Sequence, residues 1–568
     1  MVTSISQTNT LKWIWDRIIP LVLAIIAVAA YLPGIQWGLP QGTPGRLEPW
    51  GPDEIAPMGP LHAAHSLLAG TDNIPTKYPL LHYLVVAVFY VPYMGGLILA
   101  GHLANPSPGY PYGFADPVAA LQTLTLIARG VSLLMATGTV VAAYFTTKTL
   151  WDRLTAALAG VFVLLMYPLF YYGKTSNVDV PSLFWTSLFL LLAVRVLQQG
   201  WTVRRAVWMG TFAALAVATK DQSYASVILL PPALLLIHIR SLQARSTVPW
   251  SCLKAPLAGL VAAAGVYAFT SGLVIRPKTF LGHWDFITGA WVKGVPSFWY
   301  YRYSDDLPGY LGLMAESLSQ IVDTIGWPLF VAALVGMAYC VFLDRTKLVF
   351  LLTIPVLFFG VIFPVRHTAI RFMLPVGYVL TWFAARALAV AIQSHPGLLR
   401  GAALATVAIG CAFQLARAAD LTQLMWNDPR YQASAWFKQH AGPGDRVAFF
   451  ESVTGLLGGR INRMPYFQPH VQIEDAARTL LPGSRRLDGE FVLTLGPEDQ
   501  DLHWFCPAIT YRRLRDGSLG YDLGATFQQR ALFAHSHLDH HINPRVELFV
   551  RRDRAAELGL VSRQDPAR

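Results

Sequence analysis

PLLHYLVVAVFYVPYMGGLILAG, residues 79–101, is apolar almost throughout, and whether it crosses a membrane decides the direction of every segment after it. It carries His82, prolines at 79 and 92, and the pair Gly95–Gly96. Of the 568 residues, 54% are hydrophobic and 14% are charged, well below the quarter or so that is charged in soluble domains. Apolar runs of about 20 residues, the length a helix needs to cross ~30 Å of hydrocarbon, recur as far as residue 418 and then cease. The chain is therefore read as a polytopic α-helical membrane protein with a soluble C-terminal part.

Orientation follows from Lys and Arg at helix ends, which favour the inner face. Lys12 and Arg17 flank an apolar run from about Ile18 to Tyr31 that has no small-residue cleavage site and reads as a retained first span. Inner-face markers follow at Lys148 with Arg153, Arg195 with Arg204 and Arg205, Arg240 with Arg245 and Lys254, Arg345 with Lys347, and Arg400. These alternate only if one apolar segment does not cross. Residues 79–101 are that segment, a re-entrant or interfacial piece of a long external loop, 35–118, tolerated where protein or water covers the backbone. The spans are then 12–34, 119–147, 154–172, 180–198, 204–219, 223–239, 255–275, 326–343, 348–365, 370–392 and 400–418, about eleven in all. Residues 1–425 form the transmembrane domain and 426–568 an external soluble domain. In the latter DRVAFF, FVLTLG and VELFVRR read as strands and YQASAWFKQHA as a helix, giving a small α/β module.

The net charge of +11 sits mostly at helix ends, so it points to anionic lipid heads rather than to nucleic acid. Cys252, Cys340, Cys411 and Cys506 are too far apart for a disulfide framework or a CxxC metal site. No Asn-x-Ser/Thr acceptor occurs, which leans towards a bacterial plasma membrane.

With this parity the external face gathers Asp53, Glu54, Lys77, Lys174, Asp179, Lys220, Asp221, Arg276, Lys278, Arg302, Arg366, His367 and Arg371. Ionisable groups at membrane depth cost ~2.5–3.5 kcal/mol each and tend to face cavities or partners. At span ends the alternative is simple anchoring at the interface. Asp53 differs, because it lies in a loop behind Trp50, Gly51 and Pro52, a rigid setting for a carboxylate. The competing role for Asp53 and Glu54 is to cap a helix beginning near Ala56.

The Asp-Glu pair is followed in order by KYPLLHY, ARGVSLLMATGTVVAAYFTTKTLW, KTSNVDVPSLFW, ATKDQSY and RHTAIRFMLP. This series, over residues 10 to about 390, resembles the C-type glycosyltransferase superfamily, in the branch of protein O-mannosyltransferases and bacterial aminoarabinose transferases acting on lipid A. Asp53 with Glu54, Lys77 with Pro79, Asp179 with Pro181, and Arg371 through Pro375 carry the match. Tyr78 departs from it, standing where members often have the first proline of a pair. The resemblance implies transfer of a sugar from a polyprenyl-phosphate donor to an acceptor hydroxyl on the external face, the acceptor being protein, lipid or glycan.

Such a transfer needs a base for the hydroxyl, cations for the departing phosphate and an apolar groove for the isoprenoid tail. Asp53 is the candidate base, its pKa raised by partial desolvation, and Glu54 orients acceptor or backbone groups. Lys77 and Arg371 lead the phosphate contacts, with Arg276, Arg302 and Arg366 behind them. Asp179 holds Lys174 or one of these cations, or helps to ligate a divalent metal. The sequence demands no cofactor, and a divalent metal is the one candidate.

The loop 282–310, rich in Trp and Tyr, reads as interfacial anchoring or as a lid that stacks on sugar. His535, His537, His540 and His541 cluster in AHSHLDHHINP without a standard ligand spacing and read as a polar turn. Two other classes stay open. A secondary transporter or lipid flippase would use the same charges, although no inverted repeat is visible. A non-catalytic envelope-assembly scaffold would use the C-terminal domain to recruit partners.

Overall fold

The computed structural model describes residues 2–41, 47–51, 53–71, 77–243, 250–288, 303–394, 397–442, 445, 447–449, 489–495, 508–535, 537–538 and 542–560. They fall into two compact units. The first holds Met1–Ile35, Met58–Tyr93 and Leu126–Ala419; the second holds Gln36–Pro57, Met94–Thr125 and Asp420–Arg568.

The early helices are α1 (Val2–Tyr31), α2 (Gly59–Ala69), α3 (Leu81–Leu99), α4 (Pro117–Leu150), α5 (Arg153–Leu164) and α6 (Leu169–Tyr172). There follow α7 (Asp179–Gln199), α8 (Val203–Thr219), α9 (Tyr224–Val227), α10 (Leu230–Gln243), α11 (Lys254–Thr270) and α12 (Pro277–Thr288). The later ones are α13 (Leu307–Ile325), α14 (Trp327–Leu343), α15 (Thr353–Leu357), α16 (Phe363–Val365), α17 (Leu374–Ser394), α18 (Leu398–Trp426) and α19 (Pro429–His440). Among the described residues seven stretches are long and apolar enough to cross a membrane, or eight if α13 and α14 count as one bent span. The sequence expectation of about eleven is not reproduced by this measure. Its windows ran through places where the backbone turns: the apolar run 154–172 is broken at Leu165–Pro168, so α5 has only 12 residues, and α11 has 17.

The segment that opened the question is one continuous helix, α3, which passes through Pro92 without breaking. A re-entrant fold is therefore excluded. What surrounds it bears on its direction. Asp16 of α1 pairs with Lys148 of α4 and with Arg153 of α5, both at 2.7 Å. At the opposite end the Arg129 guanidinium of α4 donates to the Ile35 carbonyl at 2.7 Å. Helices α1 and α4 thus run in opposite directions.

Small residues bring the helices of the first unit together. Ala206, Gly210 and Ala214 of α8 recur every four residues, and Ala255, Gly259 and Ala263 of α11 match them. A Cβ on Gly210 would lie 2.0 Å from the Gly259 carbonyl oxygen, and one on Gly259 would lie 2.7 Å from that of Ala206. Backbones approach this closely in membranes because lipid offers no hydrophobic drive, leaving van der Waals contact to hold helices. Likewise α14 lies on α17, where a Cβ on Gly336 would come 2.0 Å from the Phe383 oxygen. Between α13 and α14 the chain bends by 102° at Gly326, whose φ of 82° suits a residue without Cβ.

In the second unit β1 (Val447–Phe449), β2 (Phe491–Leu495), β3 (Tyr521–Phe527) and β4 (Val546–Arg551) form a sheet in the order β1-β2-β4-β3. Only β1 and β2 are parallel. Phe491, Leu493, Leu548 and Val550 build its core with Ala433 and Phe437 of α19. The sequence signalled β1, β2, β4 and α19. It missed β3, since Asp522 and Gly524 in YDLGATF weaken a strand signal.

Candidate functional site

Three segments of the first unit converge on a small pocket with a cavity volume of about 30 Å³. The first is the start of α7, where Asp179, Ser182, Leu183 and Thr186 share one helical face by their spacing of three and four. The second follows α8. Lys220 leaves the helix in an extended conformation and a 3-10 turn, Asp221–Ser223, then presents Gln222 and Ser223, with Ser226 one turn further on. The third is the 3-10 turn Ile370–Met373, which places Arg371 and Phe372 ahead of Leu374 and Pro375. Leu357 of α15 closes an apolar side.

Lys220 donates to the Asp179 carboxylate, and its amine lies 5.0 Å over the Phe372 ring. The Arg371 guanidinium lies 5.7 Å from the same ring. Ser182 and Ser223 share a hydroxyl hydrogen bond, while the buried Ser226 hydroxyl has no hydrogen-bond partner among the described residues. Two cations and one carboxylate leave a net charge of about +1 among hydroxyls and apolar walls, a setting suited to an anionic oxygen cluster such as a phosphate.

Of the residues singled out by sequence, Asp179 and Arg371 are brought together here. Asp179 holds Lys220; Lys174 instead donates to the Pro33 carbonyl at 2.6 Å from a fully buried position. In the sequence Lys220 is one external charge among many, although ATKDQSY sets a Lys-Asp step at the end of a span. The serines gave no signal beyond their spacing from Asp179.

The other candidates lie elsewhere. The Arg276 guanidinium donates to the carbonyls of Leu67 at 2.9 Å and Ser66 at 3.4 Å, finishing the C-terminus of α2. Arg366 adopts a left-handed conformation with φ of 45° and pairs with Asp305 at 3.7 Å. Lys77 is exposed, its amine 5.6 Å over the Tyr78 ring. Arg302 lies outside the described residues, as do Trp291, Phe298, Trp299, Tyr300 and Tyr301 of the aromatic loop.

Asp53 and Glu54 belong to the second unit. The nearby helix begins at Gly59, with Met58 as its cap and no side-chain cap bond, so the pair does not cap it. Asp53 has φ of 62°, a conformation Asp tolerates better than most residues. Glu54 folds back on the turn: its carboxylate accepts from the Gly51 N–H at 3.1 Å and its own N–H donates to the Gly51 carbonyl at 3.2 Å. The turn is anchored through Trp50, which the Arg430 guanidinium covers at 4.0 Å and the Tyr431 ring meets at 4.7 Å. Arg430 is held in turn by the fully buried Asp428, which also accepts from the Trp37 indole at 2.8 Å. No sequence motif marked this clamp.

In the histidine cluster, His535 is bonded to the buried Asp420 at 2.9 Å, a structural role; His540 and His541 lie outside the described residues. Among the described residues no three His, Cys, Asp or Glu side chains gather as a metal-binding set.

The chain is similar to ArnT from Cupriavidus metallidurans bound to undecaprenyl phosphate, at 13% identity over 96% of this chain and 99% of that one, with a TM-score of 0.47. It is also similar to the oligosaccharyltransferase of Archaeoglobus fulgidus in the apo form, at 12% identity over 84% and 69% of the two chains, TM-score 0.45. A third likeness is the mycobacterial arabinofuranosyltransferase AftD, at 15% identity over 93% and 41%, TM-score 0.41. No protein-family model and no curated protein sequence matches the chain. At these scores the likenesses lend the chain no activity, and the functional reading rests on its own residues.

Proposed function

We propose that the protein is an integral membrane glycosyltransferase that moves a sugar from a polyprenyl-phosphate donor to an acceptor hydroxyl on the external face of a bacterial plasma membrane. The observation that carries this reading is the pocket that sets Lys220 and Arg371 together, with Asp179 fixing Lys220. The donor phosphate sits against these two cations, and Ser182, Ser223 and Ser226 offer hydroxyls beside it. In the transfer the acceptor oxygen bonds to the anomeric carbon as the bond from that carbon to the phosphate oxygen breaks. The acceptor proton passes to a carboxylate base, the role the sequence suggests for Asp53, and the polyprenyl phosphate leaves as an anion stabilised by Lys220 and Arg371. Glu54 holds the turn that carries Asp53. Asp179 holds Lys220 in place. Lys77 remains a candidate for guiding the anionic donor inward.

The test is direct. Purified protein with radiolabelled glycosyl polyprenyl phosphates and envelope acceptors should yield labelled acceptor. Lys220→Met and Arg371→Ala should each weaken donor binding about ten- to a hundred-fold, since a charge-assisted contact is worth ~1.5–3 kcal/mol. Unchanged donor affinity in both variants would remove the pocket from the mechanism.

A further inference from the structure

Helix α13 carries Leu307, Leu311, Met314 and Leu318, which are 71, 55, 49 and 50% exposed. Their steps of four, three and four residues place them in one ridge along the helix. The opposite face is buried: Leu313, Ser317, Gln320 and Thr324 turn inward, and Gln320 accepts from the Thr368 hydroxyl at 2.8 Å. That face packs on the turn Ile370–Met373, which carries Arg371. The ridge therefore belongs to a helix that is fixed on one side only.

What covers the other side follows from α14. The two helices together pass as a membrane span in composition, yet they are bent by 102°. α14 exposes Val331, Leu334 and Val335, an apolar surface that suits lipid tails. A helix at nearly a right angle to a span lies along the membrane plane. The bend itself carries Trp327, 59% exposed, the residue type enriched where hydrocarbon meets water.

We propose that α13 is an interfacial helix whose ridge of Leu307, Leu311, Met314 and Leu318 beds into the acyl-chain boundary of the bilayer that α14 enters. The occupant is lipid, because α14 beyond the bend exposes apolar residues as well and the bend carries the exposed Trp327. Insertion of this kind reaches ~5–10 Å below the headgroups. The inference goes beyond the proposed transfer and does not depend on it.

Nitroxide labels on single cysteines test it, in the full chain with Cys252, Cys340, Cys411 and Cys506 replaced by serine and the protein in phosphatidylcholine nanodiscs. Labels at 311, 314 and 318 should collide with oxygen, relative to a water-soluble nickel chelate, about threefold more often than a label at the exposed polar Ser319. All these positions are exposed, so a label disturbs no packing. Equal ratios at all four sites, with free access of the chelate, would put the ridge in water and overturn the proposal. Protection from both reagents, together with a doubled particle mass, would make the ridge a contact between copies and overturn it equally.

Discussion

Asp53 stands in a turn that three separate contacts hold: the Glu54 carboxylate on the Gly51 N–H, Arg430 on the Trp50 ring and Asp428 beneath Arg430. Proton transfer to a positioned base contributes 10²- to 10⁴-fold, so Asp53→Asn should lower turnover by about that factor while donor affinity persists. Glu54→Gln should cost less, because the amide oxygen can still accept from Gly51. Steady-state kinetics with donor-binding measurements on both variants check this; near-normal turnover in Asp53→Asn would end the assignment. Lys174 allows a second prediction. Burial holds its amine down to about 7, against an ordinary 10.5. Between these values the unfolded chain binds a proton that the folded chain does not, so stability should rise with pH across that window, by at most about 1.4 kcal/mol per unit. Below pH 7 the penalty is fully present. Melting temperatures in detergent from pH 7 to 10 should climb in the native chain and climb less in Lys174→Met.

At the scale of elements, the crossing of α8 and α11 depends on two missing side chains. Gly210→Val and Gly259→Val should each lower the melting temperature, with overpacking worth about 1–3 kcal/mol, whereas Gly265→Ala, where nothing lies within 4 Å, should not. A melting temperature unmoved by Gly210→Val would mean that the two helices are not held by backbone contact. Much of this level was legible: apolar runs gave α4, α7, α8 and α14 to within a few residues, and the short apolar, β-branched runs FVLTLG and VELFVRR gave two strands, whereas α13 carried no such signal. The breaks were not, because hydropathy averages over the turn at Leu165–Pro168 and over the bend at Gly326. At the pocket, Asp179 and Arg371 were found through their motif, while Lys220 was separable from other interfacial cations only once its partner Asp179 was located. Ser223 and Ser226 carry no charge and left no trace.

For the molecule as a whole, direction is the testable quantity. Since Asp16 meets Lys148 and Arg153 while Ile35 meets Arg129, the chain leaves α1 and enters α4 on the same side. A lone crossing by α3 contradicts that, and α2, with 11 residues, spans only ~16 Å and cannot restore the parity. Cysteines at Asn105 and Asp516 should therefore react with a membrane-impermeant maleimide from one face, and a cysteine at Gln199 from the other. Labelling of Asn105 together with Gln199 would show that α3 crosses.

The order of strands in the C-terminal sheet has a consequence for synthesis. β4 is the last strand to be made among those described, yet it is central: β2 and β3 find their antiparallel partner only in it. As the chain emerges from the ribosome, YDLGATF waits without a neighbour until VELFVR follows. Released chains truncated between residues 527 and 546 should therefore present unpaired strand edges and be cut readily by protease in the C-terminal part, and chains that include β4 should resist.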